Sequence, residues 1–213
     1  MSYLLRVALF ACLVPPASAA TFNVTRFDDP TPNGCAPKDC SLREAVIAAN
    51  ATTAHDTILL GSGSHALTRT CLPDTAGCQD LDVTQPLTIK GKGSAVTTIQ
   101  NAVPMPGSPS ADLAHTRVIE SSGVNLDLVD LTLRNGHLTL ADSPSGVVGD
   151  HGGCLYVNGG TLDAAGVVVE SCAALSNNGF SGYGGGIALE NLGRYEDALD
   201  AYQRVVDDDA QQY

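Results

Sequence analysis

The chain reads as a mainly β protein folded as a parallel β-helix solenoid, and three observations lead there. Short segments that alternate apolar and polar residues run from Thr21 to about Leu189, each bounded by Gly, Asn, Asp, Ser or Pro. Gly152-Gly153-Cys154-Leu155-Tyr156-Val157 returns 32 positions later as Gly184-Gly185-Gly186-Ile187-Ala188-Leu189. Leu126-x-Leu128-x-x-Leu131-x-Leu133 returns 36 positions later as Leu162-x-Ala164-x-x-Val167-x-Val169. A β-sandwich explains the alternation but not the repeats, which belong to solenoids or propellers. Single short strands joined by bends suit a solenoid, where each strand stacks on its equivalent one coil away. A propeller blade needs longer hairpin strands.

Residues 1–20 have the pattern of a secretory signal peptide. Arg6 supplies the positive charge, Val7 to Val14 the apolar core, and Ala17-Ser18-Ala19 an A-x-A cleavage signature. That core is too short to span a bilayer, and no later stretch is long and apolar enough to be a transmembrane helix. The mature chain is expected to begin near Thr21 and to be secreted or held at the cell surface. Loss of Arg6 takes the formal charge from −12 to −13. Such a surface repels nucleic acid, which is excluded as a partner. With no Trp and 5% aromatic residues, an aromatic sugar-stacking platform is disfavoured.

Seven cysteines become six once Cys12 leaves with the leader. An even number in an exported chain reads as three disulfides. Proximity favours Cys35–Cys40, Cys71–Cys78 and Cys154–Cys172, the last clipping neighbouring turns of the fold. The rival is a metal site, but C-x-x-C pairs and His at ligand spacing are absent.

The first strand is expected at Phe22–Thr25. Residues 41–50 follow as a helix, with Ser41 at the N-cap and Glu44 three positions on forming a capping box. Leu42, Ala45, Val46 and Ala49 then share one face, suited to cover the open N-terminal end of the solenoid. Further strands are expected at Thr57–Leu60, Ala66–Arg69, Leu81–Thr84, Leu87–Lys90, Thr97–Gln100, Arg117–Glu120, Asn125–Leu128, Leu131–Leu133, Leu138–Leu140, Cys154–Val157, Thr161–Asp163 and Val167–Glu170. Asn135-Gly136, Asn158-Gly159-Gly160 and Asn177-Asn178-Gly179 supply the left-handed conformations of tight bends. Five to seven coils of about 20–35 residues each would result.

The composition changes after Leu189. Residues 190–213 are rich in helix formers and carry a charge of −5. Leu192, Tyr195, Ala198, Leu199, Tyr202, Val205 and Val206 fall on one helical face. Three readings stay open: a cap for the far end of the solenoid, the start of a longer fusion, or an artefactual join. The last two are slightly favoured.

Two resemblances add to this. Cys40-Ser41-Leu42-Arg43-Glu44-Ala45-Val46-Ile47-Ala48-Ala49-Asn50, after an exported N-terminus, resembles the N-terminal region of CSLREA-type secreted bacterial β-helix proteins over residues 21–189. That resemblance implies a right-handed, pectin-lyase-like solenoid at the cell surface, and no catalytic residue set. Gly186, Gly193, Tyr195, Ala198 and Tyr202 resemble the packing positions of a tetratricopeptide repeat over residues 186–210. One such repeat is too few to bury its apolar face.

Some β-helix proteins cleave polysaccharides with carboxylates on adjacent coils. Candidates here are Asp127, Asp130 and Asp163, with Arg134 as a base. Asp127 and Asp163 are repeat-equivalent, so they could share a proton or hold Ca²⁺ with further oxygen ligands. The plainer reading is a solvated outer face. His137 and His151 sit in turns, His151 beside Asp150, and Asp28-Asp29 serve a turn. The leading expectation is a non-enzymatic exported surface protein for adhesion or contact with cell-envelope components and glycans. A polysaccharide lyase or glycoside hydrolase is the alternative, and a protein-interaction module on the C-terminal helices a third.

Overall fold

The computed structural model describes residues 18–69, 77–102, 115–139, 152–175 and 186–190. Residues 1–17, Cys71, Asp150, His151, the expected bend at 177–179 and the segment 191–213 lie outside them. The elements in order are β1 Thr21–Asn23, α1 Leu42–Asn50, β2 Asp56–Leu59, β3 Gly63–Leu67, β4 Leu81–Val83, β5 Leu87–Lys90, β6 Thr97–Asn101 and β7 His115–Thr116. There follow β8 Ile119–Val129, β9 Thr132–Arg134, β10 His137–Thr139, β11 Leu155–Ala165, β12 Val168–Glu170, β13 Ala173–Leu175 and β14 Ile187–Glu190.

Apart from β1 and β2, which α1 separates, strands adjacent in sequence do not pair; strands one coil apart do. The first sheet runs β1-β2-β5-β8-β11-β14 with β4 also on β8, and the second runs β3-β6-β9-β12, all in parallel register. A third, small sheet joins β13 in parallel and β7 antiparallel to β10. The result is a β-solenoid of about three turns, β2 to β5, β5 to β8 and β8 to β11. Five to seven coils were expected. About three are complete among the described residues, with steps of 31 and 39 residues from Thr57 to Thr88 and on to Asp127.

The repeats seen in the sequence are the coil register itself. Leu126 faces Leu162 and Leu133 faces Val169, a step of 36, while Leu155 faces Ile187, a step of 32. Alternation then sends one set inward. Ile58, Ile89 and Leu128 form one buried ladder, Leu87 and Leu126 another, and Ile99 and Leu133 a third across the second sheet. Each buried Leu or Ile contributes about 1.5–3 kcal/mol, so the stacked ladders carry the fold.

Two expectations about boundaries need correction. Arg117–Glu120 and Asn125–Leu128 were separate strands, as were Cys154–Val157 and Thr161–Asp163. Each pair is one long strand, because Gly123, Gly159 and Gly160 bend the backbone at positive φ without breaking the ladder. The segment 186–189, claimed by both coil and helix patterns, is strand from Ile187, held in parallel on β11. The corners between sheets use left-handed residues, Asp130 and Gly166 at one and Asn135 and Ser171 at the next; of these only Asn135 was expected.

Cys35–Cys40 and Cys154–Cys172 are disulfides. Cys78 is also disulfide-bonded, its expected partner Cys71 lying outside the described residues. Disulfides fit a non-reducing compartment. Among the described residues no helix is long and apolar enough to cross a membrane.

Candidate functional site

The segment around α1 turns out to be a lock. Ser41 caps the helix and Glu44 closes the capping box, its Oε2 accepting from the Ser41 amide at 2.8 Å. Glu44 Oε1 accepts from the Asn33 amide at 3.0 Å, which ties down the loop before the helix. Leu42, Ala45, Val46 and Ala49 are buried as expected, and the helix packs on β1, β2 and β4. Arg43, which the helical-face reading left unassigned, is buried at 1% exposure. It donates to both oxygens of Asp29, at 2.8 and 3.0 Å, and to the carbonyls of Asp80 and Gln79 at 2.8 and 2.6 Å. Asp29 Oδ2 in turn accepts from the amides of Thr68 and Arg69. One charge pair thus joins four chain segments. Asp28 is exposed and bound by Arg26, whose hydrogen bonds hold its carboxyl below the usual range.

The candidate acids separate into different surroundings. Asp127 and Asp163 face each other across β8 and β11 on the outer side of the first sheet. Asp127 Oδ2 accepts from Thr88 Oγ1 at 3.1 Å and lies 3.3 Å from His55 Nε2. His55 was not among the sequence candidates, because its contact depends on a strand step of 39 residues between Thr88 and Asp127. Asp130 sits instead in the corner before β9 at φ 54°, its side chain against Gly166. Arg134 belongs to the second sheet. His137 is buried, and burial pushes its imidazole down. Among the described residues no group of three or more His, Cys, Asp or Glu is placed to hold a metal ion.

The second sheet carries a shallow depression. A shallow groove of about 410 Å³ lies over β6, β9 and β12, lined by Ser94, Ala95, Thr98, Thr132, Arg134, Val168 and Glu170. Arg134 and Glu170 of this lining continue a polar ladder from Gln100, one residue from each strand. Arg134 Nη2 donates to Gln100 Oε1 at 2.9 Å, and Nη1 stands 3.4 Å from Glu170 Oε1. Arg134 Nε finds no partner among the described residues. Thr132, itself buried, donates its hydroxyl to Ser94 O at 2.9 Å. Val168 and nearby Val96 are exposed apolar side chains. The groove therefore offers planar hydrogen-bonding groups, hydroxyls and a small apolar edge, with one cation balanced by one anion.

No protein-family model, curated protein or solved structure matches this chain. The functional reading rests on the geometry.

Proposed function

We propose that the chain is an exported, right-handed parallel β-helix surface protein of the CSLREA type that contacts glycans of the cell envelope without cleaving them. The observation that carries this reading is the groove over β6, β9 and β12, with Gln100, Arg134 and Glu170 in a row and Val168 beside them. A sugar ring presents hydroxyls on its edge and C–H groups on its face, and this combination of planar polar groups and apolar edge complements both. The groove is balanced in charge while the whole chain is at −12, so the favoured ligand is a neutral polysaccharide. The leader pattern and the disulfides support export.

A second reading is favoured by one observation. Asp127 and Asp163 stand in register with His55 3.3 Å from Asp127, a grouping that could serve a hydrolase or lyase of β-helix fold. One experiment separates the two: affinity electrophoresis through gels holding neutral or acidic polysaccharides, with product release followed in parallel. Retention by a neutral polysaccharide, weakened about tenfold or more in Arg134→Ala and without products, is the expected result. Products that vanish in Asp127→Asn would replace this reading with the enzymatic one. Absence of retention on every polysaccharide would remove glycan contact.

A further inference from the structure

Asp56 is a carboxylate in a leucine position. It heads the inward ladder that continues as Leu87, Leu126 and Leu162, and it is 0% exposed. An ionised group there loses its hydration, and a charge partner is what normally offsets that loss. Among the described residues no cation reaches it. Its two oxygens receive neutral donors instead: Thr52 Oγ1 to Oδ2 at 2.7 Å, and the backbone amide of Ala20 to Oδ1 at 2.6 Å.

Ala20 is the residue directly after Ala17-Ser18-Ala19. We propose that the chain is cut between Ala19 and Ala20 by a leader peptidase of the export pathway, and that the new α-ammonium of Ala20 becomes the counter-ion of the buried Asp56. Water supplies the hydrolysis. The C–N bond of the Ala19–Ala20 amide breaks, a C–O bond forms, Ala19 leaves as a carboxylate, and the Ala20 nitrogen is protonated. The neutral N–H that now points at Asp56 Oδ1 is replaced by a positive group with three donors at the same atom.

The neighbouring bonds suit a folded chain that starts at Ala20 better than one that starts at Thr21. The Ala20 carbonyl accepts from the Thr57 amide at 2.9 Å, continuing the ladder between β1 and β2. Cleavage after Ala20 would remove that acceptor and the Asp56 contact together. Ser18 and Ala19 are exposed, so their departure uncovers no core. The ion pair would fix the first strand of the solenoid only after the leader is gone, which makes the folded end sensitive to correct processing. This inference is independent of the glycan reading.

Two measurements test it. The full chain is expressed with export, and the N-terminus of the recovered protein is read by sequential degradation and intact mass. Ala20-Thr21-Phe22 is the expected start; Thr21 or any other residue overturns the proposal. Denaturant unfolding then compares chains released from a fusion to begin at Ala20 or at Ala19, each with Asp56 or with Asp56→Asn. The Ala20 start is expected to raise the folding equilibrium constant at least about tenfold over the Ala19 start, with the gain lost in Asp56→Asn. Equal stability of the two starts, or a gain that persists without the carboxylate, overturns the ion pair. Should Asp56→Asn not fold, the comparison of the two starts still decides.

Discussion

Arg43 illustrates how one residue can hold a solenoid end together. A buried guanidinium that lost its carboxylate would remain as an uncompensated charge, at a cost of about 3–5 kcal/mol. Asp29→Ala should therefore destabilise the chain by roughly that amount. Asp28→Ala, one residue away but exposed, should change little; denaturant midpoints of the two variants check this. His65 is the second residue with a distinct signature. It is buried against Phe27 with ring centroids 4.9 Å apart, and burial lowers its pKa, partly opposed by the carbonyls of Gly61 and Arg26. His137 is lowered for the same first reason. The unfolded chain then takes up protons near pH ~6.5 while the folded chain does not. Stability should be fully present above that pH and fall as pH drops through it toward the lowered native pKa values. Melting curves between neutral and mildly acid pH check this, and His65→Leu should flatten part of the slope. The capping box was legible because its partners are three residues apart. The Arg43 clamp was not, since its acceptors lie 14, 36 and 37 residues away and only the coil path brings them together.

Among the elements, the bent strands β8 and β11 separate glycines that matter from glycines that do not. A Cβ on Gly160 would stand 2.0 Å from Val124 O, at φ +79°. Gly160→Ala should lower stability by more than about 1 kcal/mol, since left-handed strain and a backbone clash add. Gly123 is also left-handed, at φ +72°, but has open space around its Cβ position. Gly123→Asn should cost less, because Asn tolerates that conformation. Comparing the two melting temperatures checks the contrast. Sequence alternation located most of these strands, Leu87–Lys90 to the residue. It divided β8 and β11 at their glycines, because Gly reads as a terminator when no ladder is visible to carry the strand through. It missed β7, which has two residues, and β13, whose Ala173-Ala174-Leu175 does not alternate apolar and polar residues.

At the scale of the molecule, the internal repeats were the strongest signal, since steps of 32 and 36 residues are the physical distance around one coil. They gave the stacking, of which about three turns are complete among the described residues. They also brought Asp127 and Asp163 together correctly while giving no hint that Arg134 belongs to a different sheet, beyond the corner at Asp130. The groove was illegible for the same reason: Gln100, Arg134 and Glu170 are 34 and 36 residues apart and meet only through register. That groove is the central claim, and hydrogen–deuterium exchange with and without the best-retained polysaccharide tests it most directly. Glycan contact at the groove predicts slowed exchange in β6, β9 and β12, abolished in Arg134→Ala. Protection centred instead on the outer face of β8 and β11, around Asp127 and Asp163, or protection nowhere, would contradict it.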